Sequence, residues 1–401
     1  MTLQISPREL LGASAGGLAA LAGCTEIYGS SNTQPSPDPT FSETSSVWPM
    51  LSQNQANTAF ADITFPVGPF QITELFEGAN GDRTDTPILA NGHLLVSRTS
   101  DGDDPTGVFA LNPETGSQRW QNTDYVDYTT PSVYGKTAII SGGGTTAALN
   151  IDTGRVHWTQ SIGGSGLYKK HLKLEDTIIV SSGSGQNLAG LRAQTGDVQW
   201  ESSPFGVIYG LATDGSRIVF SHTGDDESGL VSFDPSSQEV VWTVHSLSGV
   251  SQPVIGGELV LYTNVDTGTI HAFDVEGGEE QWQYPTEDDV SAPPAVDQNA
   301  GRVFVVGPNS GLHVLELESG ELLWSAELPG SKQPLVTQNA VLTTAGKSIF
   351  QVLREDQSTT EIATSGKSIS PPLSIGSDQI FLTARSSEDS GALTCTVAQQ
   401  T

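Results

Sequence analysis

Apolar residues in this chain come in short runs separated by glycine-rich turns, and one phrase returns about every forty residues, each clear copy closing on a tryptophan. The tryptophans are Trp120, Trp158, Trp200, Trp242, Trp282 and Trp324, at intervals of 38, 42, 42, 40 and 42 residues. Each copy reads Pro-x-Val, a turn, an apolar strand, a hairpin, a second strand, a Thr-Gly turn, then a strand ending in Trp. No long stretch carries the 3.6-residue apolar period of a helix, so the chain is read as all-β. Repeats of four short strands at this spacing predict four-stranded blades closed into a ring, one β-propeller domain instead of several ordinary ones.

The turn before the tryptophan is clear at Asn112–Gly116, Asn150–Gly154 and Gln194–Gly196, and degrades at Asp234–Gln238, Asp274–Gly278 and Glu316–Gly320. Glycine four residues before the Trp supplies the positive φ of a tight hairpin, and the polar residue eight before it accepts turn amide hydrogens. Two further copies lack the Trp. After Pro334 come Val341–Thr344 and Ile349–Leu353, with Ile362 in the Trp place; after Pro372 come Ile380–Thr383 and Ala392–Val397, and Thr401 falls one residue short of the next Trp position. Upstream, the alternating segment Gln71–Phe76 places Phe76 eleven residues before Pro87, the separation of Trp120 from Pro131 and of Trp242 from Pro253. Phe76 is therefore expected to complete the C-terminal blade, giving eight blades and no exposed edge at the closure.

The phrase resembles the pyrroloquinoline-quinone (PQQ)-type repeat, roughly Ala-x-Asp-x-x-Thr-Gly-x-x-x-Trp, over about residues 47–398. The resemblance implies that all six tryptophans wedge between neighbouring blades as core residues, with Phe76 and Ile362 in the degenerate places. Trp48–Met50 and Asn54–Thr58 resemble the lead-in segment of PQQ-repeat lipoproteins. The chain is also similar to the propeller lipoprotein of the bacterial outer-membrane barrel-assembly machinery, which implies a scaffold role.

Three regions are expected: residues 1–24 as a signal peptide with lipobox, 25–46 as a disordered tether, and 47–401 as the propeller. The apolar run Leu10–Gly23 is too short to cross a hydrocarbon core of about 30 Å and suits a signal peptide. Leu21–Cys24 resembles a lipobox, which implies lipidation at Cys24 and anchoring to the cell membrane on its outer side. The preceding residues resemble a twin-arginine export signal with one arginine, Arg8, where two are expected. Cys395 would then be the one remaining thiol, so no intrachain disulfide can form.

Acidic residues outnumber basic ones 46 to 17, for a net charge of −29. Such a field repels nucleic acid and anionic lipid headgroups. Ten arginines against seven lysines, with two cysteines and two methionines, resemble the surface proteins of salt-loving archaea; the alternative is an acidic secreted protein. The bacterial assembly partners are not expected in an archaeon, so the scaffold role is carried over without them.

In such a ring the second-to-third strand hairpins and the connections between blades share one face, and variable loops on a rigid scaffold are where function lies. Three successive connections concentrate aromatics and cations: Tyr125 and Tyr128; Tyr168, Lys169, Lys170 and His171; Phe205 and Tyr209. They form a candidate patch for an anionic or aromatic group; the alternative is that they cover blade tops and offset local acid. Acidic clusters at Asp101–Asp104, Asp225–Glu227 and Glu287–Asp289 have the oxygen chemistry of Ca²⁺ without the spacing of an EF-hand loop, and are read as solvated acid. The seven histidines show no zinc-ligand spacing, Gly142–Gly144 reads as a hairpin turn, and no nucleophile elbow or Walker loop is present. PQQ dehydrogenases resembling this repeat carry adjacent cysteines beside the cofactor, and none occur here. The expectation is a non-catalytic, lipid-anchored, monomeric scaffold for an unknown membrane or surface protein, with no metal and no cofactor. The alternatives are a PQQ- and calcium-dependent oxidoreductase and a sensor subunit of a membrane complex.

Overall fold

Among the described residues most inner, second and third strands are largely buried, whereas the fourth strands are largely exposed, and that difference is the signature of blades set edge-on around an axis. The computed structural model describes residues 38–41, 48–77, 83–100, 105–124, 129–162, 171–182, 187–202, 205–224, 228–245, 247, 249, 251–329, 332–385 and 393–400. The proposed signal peptide, Cys24 and most of the tether lie outside them. Among the described residues there is no helix.

Eight sheets follow one another as antiparallel meanders: blade one spans 88–122, and the next six span 132–161, 172–201, 207–245, 254–285, 295–326 and 335–364. First strands of neighbouring blades touch, which places them at the axis. Blade eight takes three strands from the C-terminus, Ser368–Ile375, Gln379–Arg385 and Leu393–Gln400, and its outer strand Phe70–Glu77 from near the N-terminus. Phe70 pairs with Gln400 and Phe76 with Cys395, so the two ends of the chain close the ring as the Phe76 spacing predicts.

In blades one to six the outer strand carries a one-residue bulge just before the Trp: Ala110 pairs with Trp120 while Leu111 pairs with Gln118, and in blade eight a bulge likewise precedes Phe76. This register corrects the assignment of Ile362. In blade seven the bulge lies two rows further along: Ile349 pairs with Ala363 and Phe350 with Glu361, whereas the row that ends on Trp120 in blade one (Ile88, Leu95, Ala110) ends here on Thr360 (Leu335, Leu342, Gln351), so Thr360 stands in the Trp row and Ile362 is the bulged residue, itself buried.

The hydrophobic core lies largely in the seams. Trp158 packs with Ile178, Val180, Ala189 and Leu191 of the next blade. At four seams the indole rests on the turn glycine of the following blade: a Cβ on Gly154, Gly196, Gly278 or Gly320 would lie 2.4–2.7 Å from Trp120, Trp158, Trp242 or Trp282. The Nε1–H groups of those four donate to Ile151, Ala193, Val275 and Leu317 at 2.7–3.0 Å. Burying each indole contributes at most about 4–6 kcal/mol before ordering entropy. The turn glycine thus serves twice, for its φ near +70° and for the space its missing Cβ leaves.

Trp200 and Trp324 depart from the expected wedge because Gln238 and Gln357 stand where the next blade needs glycine. Trp200 packs on Gly190 and Phe233, with Gly190 its own strand partner. Trp324 faces Val314 in the same slot, which leaves no such space, and stays partly exposed. The expected turn caps are present: Asn112, Asn150, Asp234 and Asp274 each accept two turn amides.

Candidate functional site

The inner strands of a propeller leave amide hydrogens pointing at the axis, and buried donors need partners. Here the chain's own lead-in segment supplies them. Trp48 bridges Leu89 of blade one, and Pro49 O accepts from Val133 N of blade two. Gln55 Oε1 accepts from Lys173 N of blade three, and Gln55 O from Thr213 N of blade four. Ala56, Thr58 and Ala59 carbonyls then take Ile255, Val296 and Val336 of blades five, six and seven at 2.8–2.9 Å. Phe60–Ala61 continues as a strand parallel to Leu335–Thr337.

Residues 48–61 therefore lie in the axial channel and touch seven blades in order. Positive φ at Ser52, Gln53, Asn57 and Ala59 winds so short a segment around the ring, at a cost of about 1–3 kcal/mol per strained residue. Asn57 is fully buried and donates Nδ2 to Leu211 O (2.9 Å) and Pro253 O (2.7 Å). Toward the turn face, Thr40 O accepts from Lys136 N and Thr40 N donates to Thr137 Oγ1. Order therefore begins before the expected boundary at residue 46, because residues 38–41 hold blade two.

At the opposite end, where connections and second-to-third hairpins meet, the segment forms the floor of the mouth. Ser52 Oγ donates to Gln333 Oε1 (3.1 Å) and accepts from Gln252 Nε2 (3.0 Å). Two walls stand higher than the rest, at blade four and at blade eight, whose inner strand Ser368–Ile375 is eight residues long. The inner strand of blade four, Val207–Thr213, is seven residues long, against three in blades one to three and five to seven. A bulge between Ile208 and Gly210 sets Tyr209 outside the strand register and leaves it 45 % exposed, its hydroxyl 3.5 Å from Thr223 Oγ1. Gly210 abuts Gln252, where a Cβ would come within 3.0 Å, so this ledge touches the residue that holds the floor. Beneath it Phe205 sits edge-on to Phe220 and Phe233, and its carbonyl accepts from His222 Nδ1 at 2.6 Å.

Of the expected patch, Tyr125, Tyr128, Tyr168, Lys169 and Lys170 lie outside the described residues. Phe205 and Tyr209 share the ledge. His171 does not belong to a surface patch: it is 1 % exposed, with Nε2 2.8 Å from Ser141 Oγ and Nδ1 3.3 Å from Ser132 Oγ. A serine hydroxyl beside an imidazole is the geometry of an activated nucleophile. Burial, however, pushes the His171 pKa down to about 3, so the ring is too weak a base to activate Ser141 and acts as a packed hydrogen-bonding spacer.

The acidic connection also proves structural. Asp288 accepts from Asn309 N, Ser310 N and Asn309 Nδ2 at 2.7–2.8 Å, and these bonds hold its carboxyl well below the usual range against the opposing desolvation. Asp101–Asp104 and Asp225–Glu227 lie outside the described residues. Among the described residues no three metal-ligating side chains converge. The mouth offers an exposed aromatic hydroxyl over an amide floor, a surface for stacking and neutral hydrogen bonds.

The lead-in segment was the element that strand periodicity missed. Its signal is a polar run, Gln53–Thr58, next to a tryptophan and lacking turn spacing.

Comparison with known proteins matches residues 72–244 and 266–368, well over half the chain, to the sequence model of a family described as outer membrane protein assembly factor BamB. A curated protein of that name from Yersinia pestis is 24 % identical over 238 residues, 55 % of this chain; the match spans 52 %, about half, of that relative's length. The crystal structure of BamB from Moraxella catarrhalis superposes with a TM-score of 0.55 at 16 % identity, covering 81 % of this chain and 100 % of that one. Quinohemoprotein alcohol dehydrogenase from Comamonas testosteroni gives 0.65 at 12 % identity, over 92 % and 81 %. At these identities the two structures speak for the fold alone.

Proposed function

The chain belongs to the family of the outer membrane protein assembly factor BamB, and from that membership we propose that it is a non-catalytic extracytoplasmic scaffold that binds another protein across the mouth of its ring. The observation that carries this reading is the filled axis. Residues 48–61 occupy the channel in which a propeller would seat a prosthetic group, and leave a shallow mouth walled by Tyr209 and floored by Ser52, Gln252 and Gln333. A PQQ-type cofactor does not fit these residues, since the axial donors already have partners and the two cysteines are far apart in sequence. In this reading a diacyl modification at Cys24 holds the protein to the outer side of the cell membrane, and Lys169 and Lys170, in the sequence between blades two and three, add cationic groups for the partner. The acidic composition, with more arginine than lysine, supports a salt-loving source.

The test is pull-down of cross-linked cell envelopes with wild type, Tyr209→Ala, and Lys169→Ala with Lys170→Ala. Wild type should recover a partner that the variants lose while keeping their unfolding midpoint; equal recovery by all three discards the mouth. Incubation with PQQ and Ca²⁺ separates the competing oxidoreductase. Stoichiometric uptake with dye-linked alcohol or sugar oxidation would overturn the scaffold reading.

A further inference from the structure

The seam between blades six and seven differs from the others. Four tryptophans sit on a glycine of the next blade, and Trp200 finds space over Gly190 of its own. Trp324 has neither: the turn of blade seven places Gln357, with φ of +61°, at the glycine position, and Val314 fills the own-blade alternative. A side chain at that turn position excludes a docked indole, because in the four regular seams a Cβ would lie 2.4–2.7 Å from it. Just beyond Trp324 a groove of about 880 Å³ follows the seam, bordered by Ser325, Ala326 and Leu328 of blade six and by Asp356, Gln357 and Thr359 of blade seven, with Thr359 Oγ1 donating to Glu327 O at 3.0 Å across it.

Beside it runs the outer strand of blade six, Leu322–Ala326, which pairs on one side with Gly311–Glu316. Leu322 and Leu323 are 43 % and 41 % exposed, and Trp324 is partly exposed next to them. Glu321, Glu327 and Asp356 are exposed around this apolar strip. Large apolar side chains are costly to leave in water, and adjacent exposed ones mark contact surfaces. The acidic surround selects the occupant: a basic segment is attracted, and a second copy of a chain carrying −29 is repelled.

We propose that the blade-six/blade-seven seam is a second docking surface, which takes an extended partner segment that alternates apolar and basic side chains. The apolar residues cover Leu322, Leu323 and the exposed indole, and the basic ones meet Glu321, Glu327 and Asp356. The proposal rests on the protein-scaffold reading and adds the chemistry of a partner segment to it.

The probe is a fluorescein-labelled peptide, Lys-Leu-Lys-Leu-Lys-Leu-Lys, titrated into the full chain by fluorescence anisotropy, with Glu-Leu-Glu-Leu-Glu-Leu-Glu as the control. Gln357→Gly provides the socket that blade seven lacks: Trp324 should enter it, the tryptophan emission should shift to shorter wavelength, and the groove should close. Wild type binds the basic peptide, Gln357→Gly and Leu322→Lys with Leu323→Lys bind it at least about tenfold more weakly, and the acidic peptide does not bind. Binding unchanged in both variants, equal binding of the acidic peptide, or no binding by wild type overturns the proposal. In the envelope pull-down, a partner recovered equally by wild type and Gln357→Gly but lost by Tyr209→Ala removes the seam and leaves the scaffold reading standing.

Discussion

Replacing Gly196 with alanine should cost far more than the same change at Gly92, although the two have nearly the same backbone. Their φ angles are +76° and +73°. A Cβ at Gly92 meets nothing within 4 Å, whereas at Gly196 it falls 2.4 Å from Cε3 of Trp158. Both variants lose about 1 kcal/mol to the left-handed backbone. Gly196→Ala must also displace an indole that is 7 % exposed and donates to Ala193 O at 2.7 Å. Overpacking adds about 1–3 kcal/mol and the stranded hydrogen bond about 1, so the expected losses are about 1 kcal/mol for Gly92→Ala and about 3–5 for Gly196→Ala. Urea denaturation followed by tryptophan fluorescence at constant salt measures both. In a Trp158→Ala background the gap should vanish, because no indole remains to be displaced. Equal losses in the wild-type background would refute the socket account of these turns.

Asn57→Gly keeps the positive φ but removes the side chain that caps Leu211 O and Pro253 O; a loss of about 1–3 kcal/mol is expected by denaturation, and no change would mean that the axial segment is only loosely seated. His171 fixes a pH dependence. Burial lowers its folded pKa to about 3, below the ordinary 6.5 of a histidine, so its contribution is fully present above pH 6.5 and falls as the pH drops toward 3, by about 1.4 kcal/mol per unit. His171→Gln should flatten the slope between pH 6.5 and 5 in urea titrations, and an unaltered slope would exclude it as the source. Phe76 rests on Phe109 (5.5 Å) and beneath the Arg98 guanidinium (5.2 Å). Phe76→Ala should cost about 2 kcal/mol and open residues 70–77 and 393–400 to protease together; cleavage at one end alone would show that the ends do not act as one closure.

Blade number, strand order and ring closure were legible because they rest on the tryptophan spacing and on Phe76, which repeat in sequence as they do in space. The fate of each indole was less so. It depends on a residue in the following blade, Gly196 for Trp158 but Gln238 for Trp200, and only the superposed repeats connect the two. Ile362 was misplaced because blade seven carries its bulge two rows from where the other blades do, so Thr360 takes the Trp row. Of the patch read from the connections, Phe205 and Tyr209 share one ledge, while the bulge that exposes Tyr209 has no local signature. His171 was drawn into the patch by its neighbours Lys169 and Lys170, although its side chain turns inward to Ser132 and Ser141. The axial segment was hidden for another reason. Its partners are backbone amides of seven blades, which impose spacing on the carbonyls of 49–59 and little on side-chain identity.

That segment also determines how the molecule carries load. A pull on the chain from its N-terminal side reaches Thr40 on blade two and then residues 48–61, which together are held to seven blades. Tension is thereby delivered along the axis and shared around the ring, instead of peeling one outer strand from its neighbour. The strand Phe70–Glu77, on which closure depends, comes after this grip in the chain and is shielded from the pull until the grip fails.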